Sequence, residues 1–316
     1  MAYDLDSKLV IGIATRALFD LEEENRVFEQ LGVEAYTRYQ VEHERVPLKP
    51  GPGFTLVRGL LHVNQVLGEP LVEVVILSRN SAETGLRTAH SIRALELPIT
   101  RGAFTRGRPA HQYLEAFSCD LFLSAHEEDV VEALKAGFPA ARILPVAPGV
   151  GAHEHEVRIA FDGDAVLFGP ESQDRYDREG LEAFQAHEAR HADVPMQEGP
   201  FLGFLRALCA LQQRFPSEAC PLRTALITAR DAVSHQRVVR TLRSLEVRID
   251  ECFFLGGVAK DRILKAWRPH IFFDDQMAHV GPASKVSPAA QVPRHDKAGR
   301  PGEPGQPAGP GPAGKA

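Results

Sequence analysis

The chain has 316 residues, 44% of them hydrophobic, which is enough for one large domain or two ordinary ones around a substantial core. Its 36 Lys and Arg against 42 Asp and Glu give a net charge of −6, which argues against nucleic acid or an anionic membrane as a partner, because both reward basic surfaces. Four scattered cysteines without a CxxC pair, a polar start from Met1 to Lys8, and no apolar run of the roughly 18–20 residues that a membrane span needs set the expectation of a cytoplasmic, reducing setting without a disulfide framework, zinc knuckle or secretory signal.

Short apolar runs alternate with amphipathic stretches along the chain. Strands are predicted at residues 9–14, 72–77, 120–123, 157–161, 224–227 and 271–273, with helical patterns at 234–244 and 261–267. That alternation predicts an α/β fold, a parallel sheet covered by helices, with its ligand site outside the carboxyl ends of the strands. Between residues 153 and 156 the sequence His-Glu-His-Glu reads as connector; metal binding there is the lesser alternative. From about Gln291 the composition changes. Gly recurs every third residue from Gly299 to Pro307, too briefly for a collagen triple helix, and residues 291–316 read as a disordered Gly/Pro-rich tail.

The sequence also overlays on itself. With a shift of 150, residues 74–130 fall on 224–280 without a gap: the run from Arg87 to Ile99 meets the run from Arg237 to Ile249, and Asp120 to Ser124 meets His270 to Asp274. Ala17-Leu-Phe resembles Val166-Leu-Phe at a shift of 149. A repeat of this length is a whole domain. The expectation is therefore two Rossmann-like domains from an internal duplication, at residues 1–150 and 151–290.

In the second copy, chemistry-bearing residues stand at strand ends. The strand 157–161 runs into Asp162-Gly-Asp164; the strand 224–227 ends at Thr228; Gly256-Gly-Val-Ala-Lys260 opens a helix; and Ile271-Phe-Phe runs into Asp274-Asp275. A lone DxD after a strand is weak, because turns favour Asp and Gly for local reasons. The ordered set is more specific. It resembles the four motifs of the haloacid-dehalogenase phosphatases, with Asp162 and Asp164 as the first, Thr228 the second, Lys260 the third and Asp274-Asp275 the fourth. Three longer stretches, Ala160 to Phe168, Gly199 to Leu205 and Arg268 to Gln276, look like the cytosolic 5′-nucleotidase I family.

The resemblance implies a Mg²⁺-dependent hydrolase of nucleoside 5′-monophosphates, AMP prominently. On that reading Asp162, the Asp164 backbone carbonyl and Asp274 or Asp275 hold the metal, a hard cation wanting oxygen ligands. Asp162 attacks phosphorus and forms an aspartyl-phosphate. Asp164 is the general acid and then base. Thr228, with backbone N–H groups near Ala229 and Arg230, binds the phosphoryl oxygens, and Lys260 neutralises the transferring group. A helical cap inserted at about 169–220 is expected to close over the substrate. Within it Phe201 either stacks on the base or merely follows Pro200 at the start of a helix. Rival readings are a phosphatase for another small phosphate ester and a non-catalytic nucleotide-binding scaffold.

Under the same shift the first copy lacks this set. Thr228 falls on Ser78, Lys260 on Ala110, Asp274 on Ser124 and Asp275 on Ala125, and no aspartate near Ala14 can stand in for Asp162. Residues 1–150 are expected to be a degenerate copy that supports, self-associates into an oligomer or regulates. Thr105-Arg-Gly-Arg108 is either a phosphate or effector-nucleotide loop or an ordinary exposed basic loop. Two other patterns carry less. His187-Glu-Ala-Arg-His191 fits HExxH but shows no third ligand, so a solvated helix is the expectation, and Gly12 and Gly32 form no dinucleotide fingerprint.

Overall fold

All six predicted strands are present in the computed structural model, which describes residues 3–216, 218–231 and 235–294, the side chains at 176, 177 and 181 excepted. In chain order the strands are β1 (Leu9–Ile13), β2 (Phe19–Asp20), β3 (Lys49–Pro50), β4 (Val72–Ser78), β5 (Arg101–Phe104), β6 (Leu121–Ser124), β7 (Ala140–Ile143), β8 (Val157–Phe161), β9 (Leu222–Thr228), β10 (Glu251–Phe254), β11 (Ile271–Asp274) and β12 (Ala289–Gln291). β1, β4, β6 and β11 are buried along their whole length, and β8 and β9 nearly so. Helices cover both faces of a parallel sheet, so such strands read as continuous apolar runs, and this made them visible. β5 and β10 escape sequence reading because they form the two edges of the sheet, half-exposed and with weak apolar patterns. β7 and β12 are short and mostly alanine.

Ten strands make one sheet in the order β10-β9-β8-β11-β12-β7-β6-β1-β4-β5; β2 and β3 form a separate ribbon. Every neighbour pair in the large sheet is parallel except β12 with β7, where Ala290 faces Ile143 and Gln291 faces Arg142. Outward from that junction the strand order is β7-β6-β1-β4-β5 on one side and β12-β11-β8-β9-β10 on the other. The two halves do not stand apart. One buried apolar cluster runs from Leu9 to Val292. The helix Phe54–Leu67 packs on both β4 and β8, and the helix Leu202–Gln212 of the second half packs on β1. Gly59 permits the first of these crossings, since a Cβ there would lie 3.0 Å from Val157 and 3.3 Å from His270.

The first four residues of the predicted tail, 291–294, belong to the described fold. Gln291 ends β12, Val292 is buried, and Arg294 pairs with Asp275. The rest of the predicted tail lies outside the described residues.

His270 precedes β11 and accepts the Arg158 N–H on Nδ1 at 3.1 Å. Burial, reinforced by His153, Arg158 and Arg58, pushes its pKa from 6.5 down to about 4. Between those values the unfolded chain binds a proton that the folded chain refuses. The neutral ring's contribution is therefore whole above pH 6.5 and is lost as pH falls toward 4, by up to about 3 kcal/mol. Urea unfolding is expected to show this loss as a difference from His270→Asn, whose amide accepts the same N–H without titrating.

Candidate active site

Register places the site. Phe161 of β8 pairs with Phe273 of β11, so the residues that follow, Asp162 and Asp274, emerge side by side. The Asp162 N–H donates to the Phe273 carbonyl at 2.7 Å, fixing the first turn of the loop. On the other flank β9 pairs with β8 and delivers Thr228 to the same end. Past that end, Leu167 and Phe168 N–H groups both donate to the Gly163 carbonyl, curling the loop that carries Asp164.

Lys260 opens the helix Lys260–Trp267 and reaches back into this cluster. Its Nζ lies 2.7 Å from Asp162 Oδ1 and 2.6 Å from Asp274 Oδ2. Carboxylate oxygens of Asp162, Asp274 and Asp275 lie within 4.8 Å of one another, and all three residues are buried. No other group of three or more such ligands occurs among the described residues. Asp274 is further held by the Gln276 N–H at 2.8 Å and by His279 Nδ1 at 3.2 Å. Asp275 gives one oxygen to Arg294, while its Oδ1 is buried with no hydrogen-bond partner.

The electrostatics follow from crowding acids out of water. Burial raises the Asp162 pKa to about 7; Lys260 opposes the rise, and Asp274 and Asp164 add to it. Burial and the Asp274 charge likewise raise Asp275, against Arg294. Burial would raise Asp274 too, but Lys260 and His279 outweigh it and hold its pKa below the usual value. Burial would lower Lys260, and the two aspartates reverse that. Lys260 and Arg294 against three buried carboxylates leave a negative pocket suited to a further cation. It is the candidate divalent-metal site.

Thr228 is buried at its strand end, and its hydroxyl accepts the Arg230 N–H at 3.3 Å. Ala229 is exposed beside it. The Arg230 side chain is the main feature that sequence reading missed. Its Nε and Nη2 donate to the two oxygens of Asp164 at 2.9 and 2.7 Å, and Nη1 donates to Glu188. Burial works against the Arg230 charge, but Asp164 and Glu188 outweigh it and raise its pKa. Glu188 in turn accepts from Arg237 at 2.8 Å and from the Ser172 hydroxyl at 2.9 Å. The glutamate of HExxH is thus a buried anchor for the helix Glu171–Arg190, not part of a solvated face. No local pattern could announce that, because both arginines come from residues more than 40 positions away.

Phe201 lies in the core with 0% exposure, its ring 4.8 Å from that of Phe273 and 6.4 Å from that of Phe204. It precedes the helix Leu202–Gln212 directly. Without an exposed face, the ring packs on Phe273 of the sheet.

Removing Glu188 leaves two buried arginines with one carboxylate each, Arg230 with Asp164 and Arg237 with Glu171, and breaks the link between them. Glu188→Ala is expected to lower stability by about 3–5 kcal/mol, measured by urea unfolding, with no dependence on added divalent metal.

Residues 1–298 match the family described as 5′-nucleotidase. The chain belongs to the 5′-nucleotidase family. Among curated proteins it is similar to human cytosolic 5′-nucleotidase 1B, with 37% identity over 293 residues, covering 89% of this chain and 48% of that protein. It therefore spans about half the length of that relative. No solved structure matches the chain. Among the described residues, no helix of this family member is long and apolar enough to cross a membrane. The family match takes in both halves of the sheet, so the half without the acidic cluster belongs to the shared sequence as much as the half with it.

Proposed function

We propose that the chain hydrolyses nucleoside 5′-monophosphates of the AMP/IMP type to nucleoside and phosphate, acting in the cytosol. The observation that carries this is the junction of Asp162, Asp274 and Asp275 with Lys260 at the carboxyl ends of adjacent strands, in a member of the 5′-nucleotidase family. The relative's name, cytosolic 5′-nucleotidase 1B, agrees with that substrate class and compartment.

The donor set fits Mg²⁺. It consists of hard carboxylate oxygens, and Asp275 Oδ1 is buried without a partner in a cluster that holds more negative than positive charge. Asp162, Asp274, Asp275 and the Asp164 carbonyl would hold the ion, which when bound supplies charge neutralisation for the phosphate dianion.

The chain's own residues do the rest. Asp162 attacks phosphorus in line; the P–O bond to ribose breaks, and Asp164 gives its proton to the departing oxygen. Water then attacks the aspartyl-phosphate, Asp164 takes a proton from it, and phosphate leaves with Asp162 restored. Acid–base help of this kind is typically worth about 10²–10⁴-fold. The Thr228 hydroxyl and the N–H groups near Ala229 and Arg230 bind the phosphoryl oxygens, and Lys260 offsets charge on the group in transfer. Arg230 has to loosen its two bonds to Asp164 for the proton to move. Because it also grips Glu188, movement of the segment from Glu171 to Arg190 accompanies that release, and this segment is the part of the predicted 169–220 insertion that acts as the cap. The helix Leu202–Gln212 belongs to the core layer.

We further infer that the halves arose by duplication, with residues 1–150 as the degenerate domain and 151–290 as the catalytic one. Their identical strand order supports this, and so do paired details. Gly32 (φ 80°) and Gly180 (φ 82°) break corresponding helices. Arg87 Nε donates to the Val46 carbonyl as Arg237 Nε does to that of Val194. Arg87 meets Glu24 and Gln40 where Arg237 meets Ser172 and Glu188, so the carboxylate has changed places between two equivalent positions.

Phosphate release from a panel of AMP, IMP, deoxynucleotides and sugar phosphates tests the substrate class. With Mg²⁺ the nucleotides are expected to turn over and the sugar phosphates to lag, and EDTA is expected to abolish release until Mg²⁺ is restored. Indifference to the base would refute the nucleotide assignment.

A further inference from the structure

A cavity of about 1630 Å³ opens over the strand ends of the first half, lined by Thr15, Arg16, Ser78, Arg79 and Asn80 from the ends of β1 and β4. It sits in the first half where the acidic cluster sits in the second. The Ala14 N–H donates to the Leu123 carbonyl at 2.8 Å, as the Asp162 N–H does to Phe273, so Ala14 holds the place of Asp162 and Arg16 that of Asp164. Ser78 holds the place of Thr228 at the end of β4, and its hydroxyl accepts the Asn80 N–H at 3.1 Å, as Thr228 accepts that of Arg230. Ser124 and Ala125 replace Asp274 and Asp275.

These exchanges reverse the electrostatics. Every carboxylate that crowds the second site is gone from the equivalent positions, and one of them is replaced by a cation. Arg16 is steadied from the side, donating to Asn25 at 3.0 Å and to Glu22 at 2.9 Å. Arg106, from the loop after β5, lines the same cavity and makes no ion pair among the described residues. Buried acids nearby are already neutralised: Asp129 by Arg79 at 2.6 Å and Glu24 by Arg87 at 2.8 Å. Glu34, Glu42 and Glu83 also line the cavity but are solvent-exposed, where water and salt weaken their repulsion of an anion. The far wall is aromatic and apolar. Phe28 is 48% exposed and stands edge-on to Tyr36 at 5.8 Å, with Val33 beside them in the lining.

We propose that this cavity binds a nucleoside monophosphate without a metal ion and without hydrolysing it. The phosphate is held by Arg16 and the Thr15 and Ser78 hydroxyls, and the base lies against Phe28. A phosphate that meets arginine needs no bridging cation. With Ala14 where a nucleophile would stand, no covalent step is available. The volume exceeds the roughly 300–1,000 Å³ of common small-molecule sites, so a whole nucleotide fits. The site rests on the correspondence of the halves, not on hydrolysis in the second one.

The test is calorimetric titration of the full-length chain in EDTA with AMP, and in parallel with adenosine and with inorganic phosphate. Expected is one AMP site per chain, weakened about tenfold or more by Arg16→Ala and to a similar degree by Phe28→Ala, and unchanged by Thr228→Val. Phe28 is half-exposed, so its truncation cannot be mistaken for unfolding. No heat at millimolar AMP overturns the proposal. So does binding that Thr228→Val removes and Arg16→Ala spares, which puts the ligand in the acidic cleft, and so does adenosine binding as tightly as AMP. Since binding is read without metal, a negative result leaves the hydrolase reading standing, and a hydrolytically inactive chain that binds AMP in this way leaves the cavity assignment standing.

Discussion

Asp162→Asn is expected to lower phosphate release from AMP by at least ~10⁴-fold while leaving the protein folded. The substitution keeps shape and volume but removes the carboxylate that follows β8 and lies beside Lys260. An amide does not attack phosphorus at a useful rate, and water in its place lacks the fixed in-line position. Stability is expected to hold or rise in the absence of metal. Burial already pushes the Asp162 carboxyl up to about 7, so a neutral side chain suits the metal-free cluster better than a charged one. Circular dichroism and urea unfolding beside the activity assay separate the two effects. Turnover within tenfold of the unmodified chain would refute the nucleophile assignment.

Lys260→Met is expected to act on stability first. Lys260 Nζ lies within 2.7 Å of Asp162 and 2.6 Å of Asp274, and both carboxylates are buried. Methionine fills similar space but leaves those charges uncompensated, a change that typically costs about 3–5 kcal/mol. Proton uptake by the acids limits the loss at low pH, so it is greatest at neutral pH and above. A divalent cation can take over part of the lysine's neutralising role. Added Mg²⁺ is therefore expected to stabilise the variant more than the unmodified chain, by linkage of binding to folding. Activity still falls by orders of magnitude, because charge on the transferring group is no longer offset. Failure of Mg²⁺ to stabilise either chain would contradict the cluster's role as a cation site, and equal stabilisation of both would contradict the shared role of ion and lysine.

Much of this was legible in the sequence, for identifiable reasons. Strands buried on both faces must be apolar throughout, so β1, β4, β8 and β11 stood out. Residues at their carboxyl ends then had to face one another, and Asp162, Asp274 and Lys260 do. What escaped depends on contacts between distant residues. Nothing around Arg230 hints that its side chain binds Asp164 and Glu188. Glu188 sits in a pattern suggestive of zinc, and only the fold shows two arginines claiming it. Phe201 read equally well as a base platform or as the start of a helix after Pro200, and neither reading announced its packing on Phe273. The repeat was visible by overlay, whereas the merging of both halves into one sheet through the antiparallel β7–β12 pair was not, since a three-residue alanine-rich strand carries almost no pattern.

The central claim is that Asp162 becomes covalently phosphorylated in a metal-loaded site. Acid quenching of the Mg²⁺-loaded chain during AMP turnover, followed by peptide mass spectrometry, tests it most directly. The expected result is one added phosphoryl group on the peptide carrying Asp162, absent in Asp162→Asn and absent in EDTA. A phosphoryl group on any other residue, or full-rate phosphate release by Asp162→Asn, would contradict the account.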